Sequence, residues 1–166
     1  MSNEYLDDEK CGDLRTTLGQ LVMMLADTPD LWRPFIRFDP QQRYFYRIAT
    51  TPDREAWLTT WCPGQFTGLH DHGGSSGAFV VLRGVLHETV VTPRPDGEKV
   101  RLRNRVYSAS RYRTFGPRHL HDVANRGPAP AVSLHLYAPA LTTMTRYRID
   151  SGHLSQLAIE HAGLDW

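Results

Sequence analysis

The sequence predicts an all-β barrel or sandwich, with helices confined to about the first forty residues and the last fifteen. Three observations carry this. Turn signals built on Pro, Gly, Asp and Ser recur about every eight to twelve residues from position 43 onward. Between them the chain alternates apolar with polar residues or is rich in β-branched and aromatic types. The crossover helices that a parallel α/β sheet requires are missing.

Taken in order, Leu14, Leu18, Leu21, Val22 and Leu25 fall at helical spacing and form one apolar stripe. Thr28-Pro29-Asp30 reads as a second helix start: a capping hydroxyl, proline at the first helical position, an acid in the first turn. That helix is expected to bury Leu31, Trp32, Phe35 and Ile36 and to stop before Pro40. Strands follow at Tyr44 to Ile48 and Ala56 to Trp61, separated by the turn Thr51-Pro52-Asp53 and ended by Pro63-Gly64. Ala78 to Leu82 and Val85 to Val91 flank Arg83-Gly84, which reads as a tight hairpin, and Pro93 to Gly97 is the next turn. Val100, Leu102 and Val106 alternate with Arg101, Arg103 and Arg105. Such alternation is ordinarily a strand with a solvated arginine face; an anion-binding patch is the other reading.

Residues 111–127 are polar, punctuated by Gly and Pro, and hold His119 and His121. Ala131 to Tyr137 is the cleanest alternation, with Ser133, His135 and Tyr137 on one face. Leu141 to Ile149 is a further strand and Asp150-Ser151-Gly152 a turn. The expected organisation is a single domain: a helical segment over 1–40, a barrel over 43–150 and a tail over 151–166.

Composition excludes several classes of function. At 166 residues the chain can bury about two-thirds of its unfolded surface without external staples. Its 19 basic and 18 acidic residues leave a formal charge of +1, so no global field favours nucleic acid or a membrane. The start MSNEYLDDEK is too polar for a signal peptide, and no apolar run approaches the roughly 18 residues that span a bilayer. Cys11 and Cys62, far apart, are a poor disulfide framework, and Cys62 reads as a small apolar residue. The expectation is a cytoplasmic monomer.

The chemistry concentrates at GQFTGLHDHGGSSGAFVVLRG, residues 64–84. On an extended backbone His70 and His72 share a side, about 6 to 7 Å apart, the grip two ligands need on one metal ion. Of the remaining histidines, His87 beside Glu88 reads as a surface residue, and His153 and His161 lie in the tail. His119, His121 and His135 remain as sources of a third ligand. A Ser/His hydrolase is disfavoured: there is no Gly-x-Ser-x-Gly elbow, and Ser133 and His135 two apart on a strand form a poor nucleophile–base pair. From spacing alone, zinc with three His and a water is as sound as iron.

The paired motifs resemble those of the cupin superfamily: Gly64, the His70-x-His72 pair and Gly84, then His121-x-x-x-Asn125. That resemblance implies a double-stranded β-helix, a jelly-roll barrel with N-terminal helices packed on it and a metal held inside. The acid of the first motif is replaced by Gly77, leaving three His without a carboxylate. With Tyr44 to Arg47, the Pro-Gly-Gln…His-Asp-His-Gly block and Ala-Val-Ser-Leu-His-Leu-Tyr at 131–137, the chain is similar over about residues 44–150 to bacterial cysteine dioxygenases. Animal members carry at the Gly77 position a cysteine cross-linked to the active-site tyrosine, a bond this chain cannot form there. The resemblance implies one Fe(II) per chain held by His70, His72 and His121, and oxidation of L-cysteine by O2 to the sulfinate. Arg47 would clamp the substrate carboxylate, with Arg43 close enough to leave the strand register open. Tyr137 would point its hydroxyl into the site, His135 would accept or relay its hydrogen bond, and Ser133 would fix the His135 tautomer. Alternatives are another small thiol such as 3-mercaptopropionate, or a zinc or non-catalytic metal-binding cupin. His119 is a rim residue or a substitute ligand.

Overall fold

The computed structural model describes residues 17–94 and 99–164, so Cys11, Leu14 and most of the 93–97 turn lie outside the described residues. After a helix over 17–26, the strands are β1 (Tyr44–Thr51), β2 (Arg54–Trp61), β3 (Ser76–Arg83), β4 (Val85–Thr92) and β5 (Arg101–Ser108). They continue with β6 (Tyr112–Phe115), β7 (His121–Ala124), β8 (Ala131–Ala138), β9 (Thr143–Asp150) and β10 (His153–His161). One sheet runs β1-β2-β8-β3-β6, a second β5-β4-β7, and β9 pairs with β10. Isolated bridges from His70 to His121 and to Arg146 connect the two smaller sheets. Antiparallel pairing between strands distant in sequence, such as β2 with β8, wraps the layers into the expected double-stranded β-helix.

The large sheet is buried on both faces, which explains why β3 and β8 are almost continuously buried. Its outer face carries Leu58, Val80 and Leu134 against Leu18, Val22 and Trp32, so the predicted helical stripe has its partner. Its inner face carries Trp61, Phe79 and Val81 against Leu86, Tyr107 and Val123 of the second sheet. Each fully buried Leu or Val side chain contributes about 1.5 to 3 kcal/mol by leaving water.

Several expectations are corrected. The second helix is two 3-10 turns, Pro29–Leu31 and Arg33–Phe35. Pro34 removes an N–H and pushes the residue before it away from the α region, so no α-helix can run through 28–40. Thr28 does not cap; its hydroxyl donates back to the Met24 carbonyl at 2.9 Å. Trp32 is buried, while Leu31 is 50% exposed. Arg83-Gly84 is a corner between sheets rather than a hairpin, because β3 and β4 have different partners. Gly84 sits there at φ +80°, where an added Cβ would lie 2.8 Å from the Pro130 carbonyl oxygen. The stretch 111–127 contributes β6 and β7. The expected tail forms β10, locked to β9 from Asp150–His153 to Thr143–His161. In β5 the phase is inverted: Leu102 and Val106 are 53% and 62% exposed, and the arginines share a face with buried Tyr107.

Candidate active site

His70 and His72 lie on irregular chain after β2, not on a regular strand. His70 and His121 exchange two backbone hydrogen bonds, each N–H donating to the other's carbonyl at 3.0 Å. This closed pair places the first residue of β7 beside a segment some fifty positions earlier, and so delivers the third imidazole. The ring centroids of His70, His72 and His121 lie 4.8 to 5.0 Å apart, and one ligand nitrogen from each falls within 4.8 Å of the others.

Hydrogen bonds fix two of the three tautomers. The His70 Nδ1–H donates to the Gly68 carbonyl at 2.9 Å, and the His121 Nδ1–H donates to Glu88 Oε1 at 2.9 Å. The Nε2 lone pair of each ring is thereby left for a metal ion. Both ring nitrogens of His72 are buried without any hydrogen-bond partner. A buried orphan of this kind costs stability unless something else satisfies it, and a metal ion does so. Burial, followed by repulsion from neighbouring imidazoles, holds the His70 and His72 pKa values well below the ordinary range, so both rings are neutral as ligands must be. The donor set fits a divalent transition metal held by three neutral nitrogens.

Gly77 is a glycine because there is no room for anything larger. A Cβ there would lie 2.3 Å from Phe115 Cζ and 3.0 Å from the Leu136 carbonyl oxygen. The Phe115 ring fills the space a fourth, carboxylate ligand would use and stacks on His72 at 4.9 Å.

Behind His121 stands Glu88, which sequence reasoning missed. Its Oε1 accepts from His119 Nε2 at 2.8 Å and from His121 Nδ1, and its Oε2 accepts from the Tyr107 hydroxyl at 2.9 Å. Burial opposes its ionisation, but the bonds from His119 and His121 outweigh that and hold the carboxyl well below the usual range. Burial and this carboxylate push Tyr107 up to about 12. Glu88 orients His121 in the manner of carboxylate–histidine–metal arrangements. Glu88, His119 and His121 also lie close enough to hold a metal themselves, but their facing atoms already bond one another. His119 thus stands as a brace on Glu88, behind the three-histidine cluster. The signal was available: Glu88 sits at the inward phase of β4, two residues from buried Leu86.

In front of the histidines is a cavity of about 220 Å³, small enough for a molecule of amino-acid size. Arg43, Trp57, His70, His121, Tyr137 and Glu160 are among its lining residues. Arg47, the expected clamp, is not: it is exposed on β1, its guanidinium 5.5 Å from the Trp57 ring centroid, and Trp57 forms the wall. Arg43, four residues earlier on the same face, takes the interior place. Its guanidinium lies over Trp61 at 5.0 Å and its Nε donates to the Phe66 carbonyl at 3.1 Å. Burial and the nearby Arg146 lower its pKa from the ordinary arginine value. Arg146 donates to the Thr67 carbonyl at 3.0 Å and pairs with Glu160 at 2.7 Å, bringing β9 and β10 into the wall.

Ser133, His135 and Tyr137 share the inner face of β8. Trp61 Nε1–H donates to Ser133 Oγ at 2.9 Å, so the serine proton goes to His135 Nε2 at 2.7 Å and the imidazole carries its own proton on Nδ1. Burial holds His135 neutral, with a pKa lowered to about 3. The expected bond from Tyr137 to His135 is not formed; their rings stand 6.4 Å apart, nearly parallel. Burial, with Glu55 adding to it, pushes the Tyr137 hydroxyl up, so it stays protonated. Asn125 is not in the site. It ties the end of β2 to the loop before β8, donating to the Trp61 and Ala129 carbonyls at 3.1 and 2.9 Å. The Cys62 thiol donates to the Asp39 carbonyl at 3.6 Å.

Comparison with known proteins gives the same picture from outside. Residues 16–150 match the family model described as cysteine dioxygenase type I. Human cysteine dioxygenase type 1 is 28% identical over 137 residues, covering 79% of this chain and 68% of that protein. The Danio rerio protein of the same name is 27% identical over 144 residues, covering 80% and 69%. Among solved structures, a Thermus thermophilus protein superposes with a TM-score of 0.55 at 21% identity, covering 65% of this chain and 93% of that one. A Klebsiella pneumoniae protein with a double-stranded β-helix domain gives 0.51 at 16%, covering 76% and 93%.

Proposed function

Since this chain belongs to the cysteine dioxygenase type I family, we propose that it is an iron(II) enzyme that oxidises L-cysteine with O2 to the sulfinate. The observation that carries this reading is the cluster of three buried imidazoles, two of which, His70 and His121, line a small cavity with an arginine in it. His70, His72 and His121 would hold iron(II), which would supply the redox chemistry that places both atoms of dioxygen on a thiolate sulfur.

The remaining work falls to side chains. Three neutral ligands leave the ion's positive charge uncompensated, which favours an anionic thiolate. Arg43 takes the substrate carboxylate, because its planar fork matches two oxygens where a lysine would act as a point charge. Glu160 offers a carboxylate to the substrate ammonium, and this favours cysteine over 3-mercaptopropionate, which lacks that group. Tyr137 keeps its proton and donates it in a hydrogen bond across the cavity. The Trp61–Ser133–His135 chain holds the floor of the site rigid and neutral. Phe45, Trp57, Val123, Leu141 and Met144 line much of the rest and suit apolar dioxygen.

The test is oxygen consumption by protein reconstituted anaerobically with iron(II), supplied in turn with L-cysteine, 3-mercaptopropionate and cysteamine. L-cysteine is expected to give the highest kcat/KM. A higher value for 3-mercaptopropionate would reassign the substrate, and activity with zinc equal to that with iron would remove the oxygenase reading.

A further inference from the structure

The inverted phase of β5 leaves a feature that the thiol chemistry does not use. Arg94, Arg101, Arg103, Arg105 and Arg113 line one groove of about 550 Å³, walled elsewhere by Val90, Thr92 and Pro93. Were this an ordinary solvated strand face, the arginines would point away from the barrel and Leu102 and Val106 toward it. Here the apolar pair is exposed; Arg101 and Arg103 are exposed as well, Arg105 is half-buried, and the three share a face with buried Tyr107. Across the ladder Arg101, Arg103 and Arg105 stand beside Thr92, Val90 and Glu88 of β4.

Arg101, Arg103, Arg105 and Arg113 bring four guanidinium groups into one concavity, and the chain as a whole is nearly neutral, so this is a local concentration. No carboxylate lines the groove among the described residues. Glu88 lies nearest, 3.7 Å from Arg113 Nε, but its oxygens already accept from Tyr107, His119 and His121. Arg105 Nε and Arg113 Nε are buried without a hydrogen-bond partner. On one strand face alternate residues lie about 6.6 to 6.8 Å apart, so Arg101, Arg103 and Arg105 present a row of forks along the groove that a chain of oxyanion groups can span.

We propose that this groove is a binding site for an oligophosphate, the chemistry shared by inorganic polyphosphate and the phosphate chain of a nucleotide. Arginine forks bind phosphate oxygens two at a time, and the row carries charge enough for several groups.

The experiment is isothermal titration of iron-loaded, full-length protein with inorganic tripolyphosphate at low and physiological salt. One saturable site per chain is expected, weakening steeply as salt rises. The double variant Arg101→Ala/Arg103→Ala should bind about a hundredfold more weakly, as expected for two lost charge-assisted contacts. Both residues are exposed and neither lines the thiol cavity, so the variant's thermal midpoint and its oxygen consumption with L-cysteine should match the wild type. Adenosine triphosphate in a parallel titration separates the sources. Equal affinity supports a site that reads phosphate alone, and tighter binding supports a site that also takes the nucleoside. Absence of saturable tripolyphosphate binding, or binding that the double variant retains, overturns the proposal. So does a single-stranded oligouridylate that binds far more tightly and displaces tripolyphosphate, which would assign the face to nucleic acid.

Discussion

Replacing Arg43 by glutamine tests the substrate clamp, because Arg43, immediately before β1, lines the cavity and Arg47 on β1 does not. A hydrogen bond to a charged group is worth about 1.5 to 3 kcal/mol, which is roughly ten- to a hundredfold in kcat/KM. The loss should fall on substrates that carry a carboxylate. The assay is initial oxygen consumption with L-cysteine and with cysteamine, which has the thiol and amine but no carboxylate. Arg43→Gln should lower kcat/KM for L-cysteine by that factor and leave cysteamine within about threefold, so the ratio between them collapses. Arg43→Lys, keeping charge without the fork, should fall between. Arg47→Gln should change neither substrate by more than about twofold, since its guanidinium rests on the outside of Trp57. An unchanged ratio in Arg43→Gln, or a collapse in Arg47→Gln, would refute this reasoning.

Five further outcomes follow from the site. Glu88→Gln should weaken iron(II) binding about ten- to a hundredfold in anaerobic titration, because the carboxylate that orients His121 is lost; His121→Ala should abolish stoichiometric binding. Gly77→Ala should lower stability by about 1 to 3 kcal/mol in urea unfolding through overlap with Phe115, and the additional change Phe115→Leu should recover part of that. Glu160→Gln should raise KM for L-cysteine while leaving 3-mercaptopropionate unaffected. For pH, the folded state holds His135 neutral down to about 3 while the unfolded chain takes up a proton near 6.5. The unfolded state therefore binds more protons in that window, and stability falls as pH falls. His135 alone accounts for about 1.4 kcal/mol between about pH 7.5 and 5.5, and apo His135→Gln should show a correspondingly shallower pH slope in urea unfolding.

The metal ligands and the barrel were legible because their signals are local: a His-x-His pair, a His-x-x-x-Asn pair and alternation within single strands. What was not legible depends on tertiary register. Arg43 and Arg47 have the same parity, and only the position of Trp57 across the hairpin separates them. Glu88 beside His87 reads locally as a surface residue, and only its inward phase on β4 marks it. The alternation in β5 reads as a solvated arginine face, and Arg101 and Arg103 are exposed; what it does not show is that this face lines a groove continuing inward to Tyr107. The last sixteen residues look like a tail in sequence, but β10 closes on β9 and brings Glu160 to the cavity. The second helix failed on Pro34, which local capping signals at Thr28 could not override.

The most direct test of the central claim is the product made from isotopically labelled dioxygen. Protein loaded with one iron(II) per chain, given L-cysteine and labelled O2, should yield cysteine sulfinate with both oxygen atoms labelled, and His72→Ala should yield none. Unlabelled or singly labelled sulfinate, disulfide as the sole product, or full turnover by His72→Ala would contradict it.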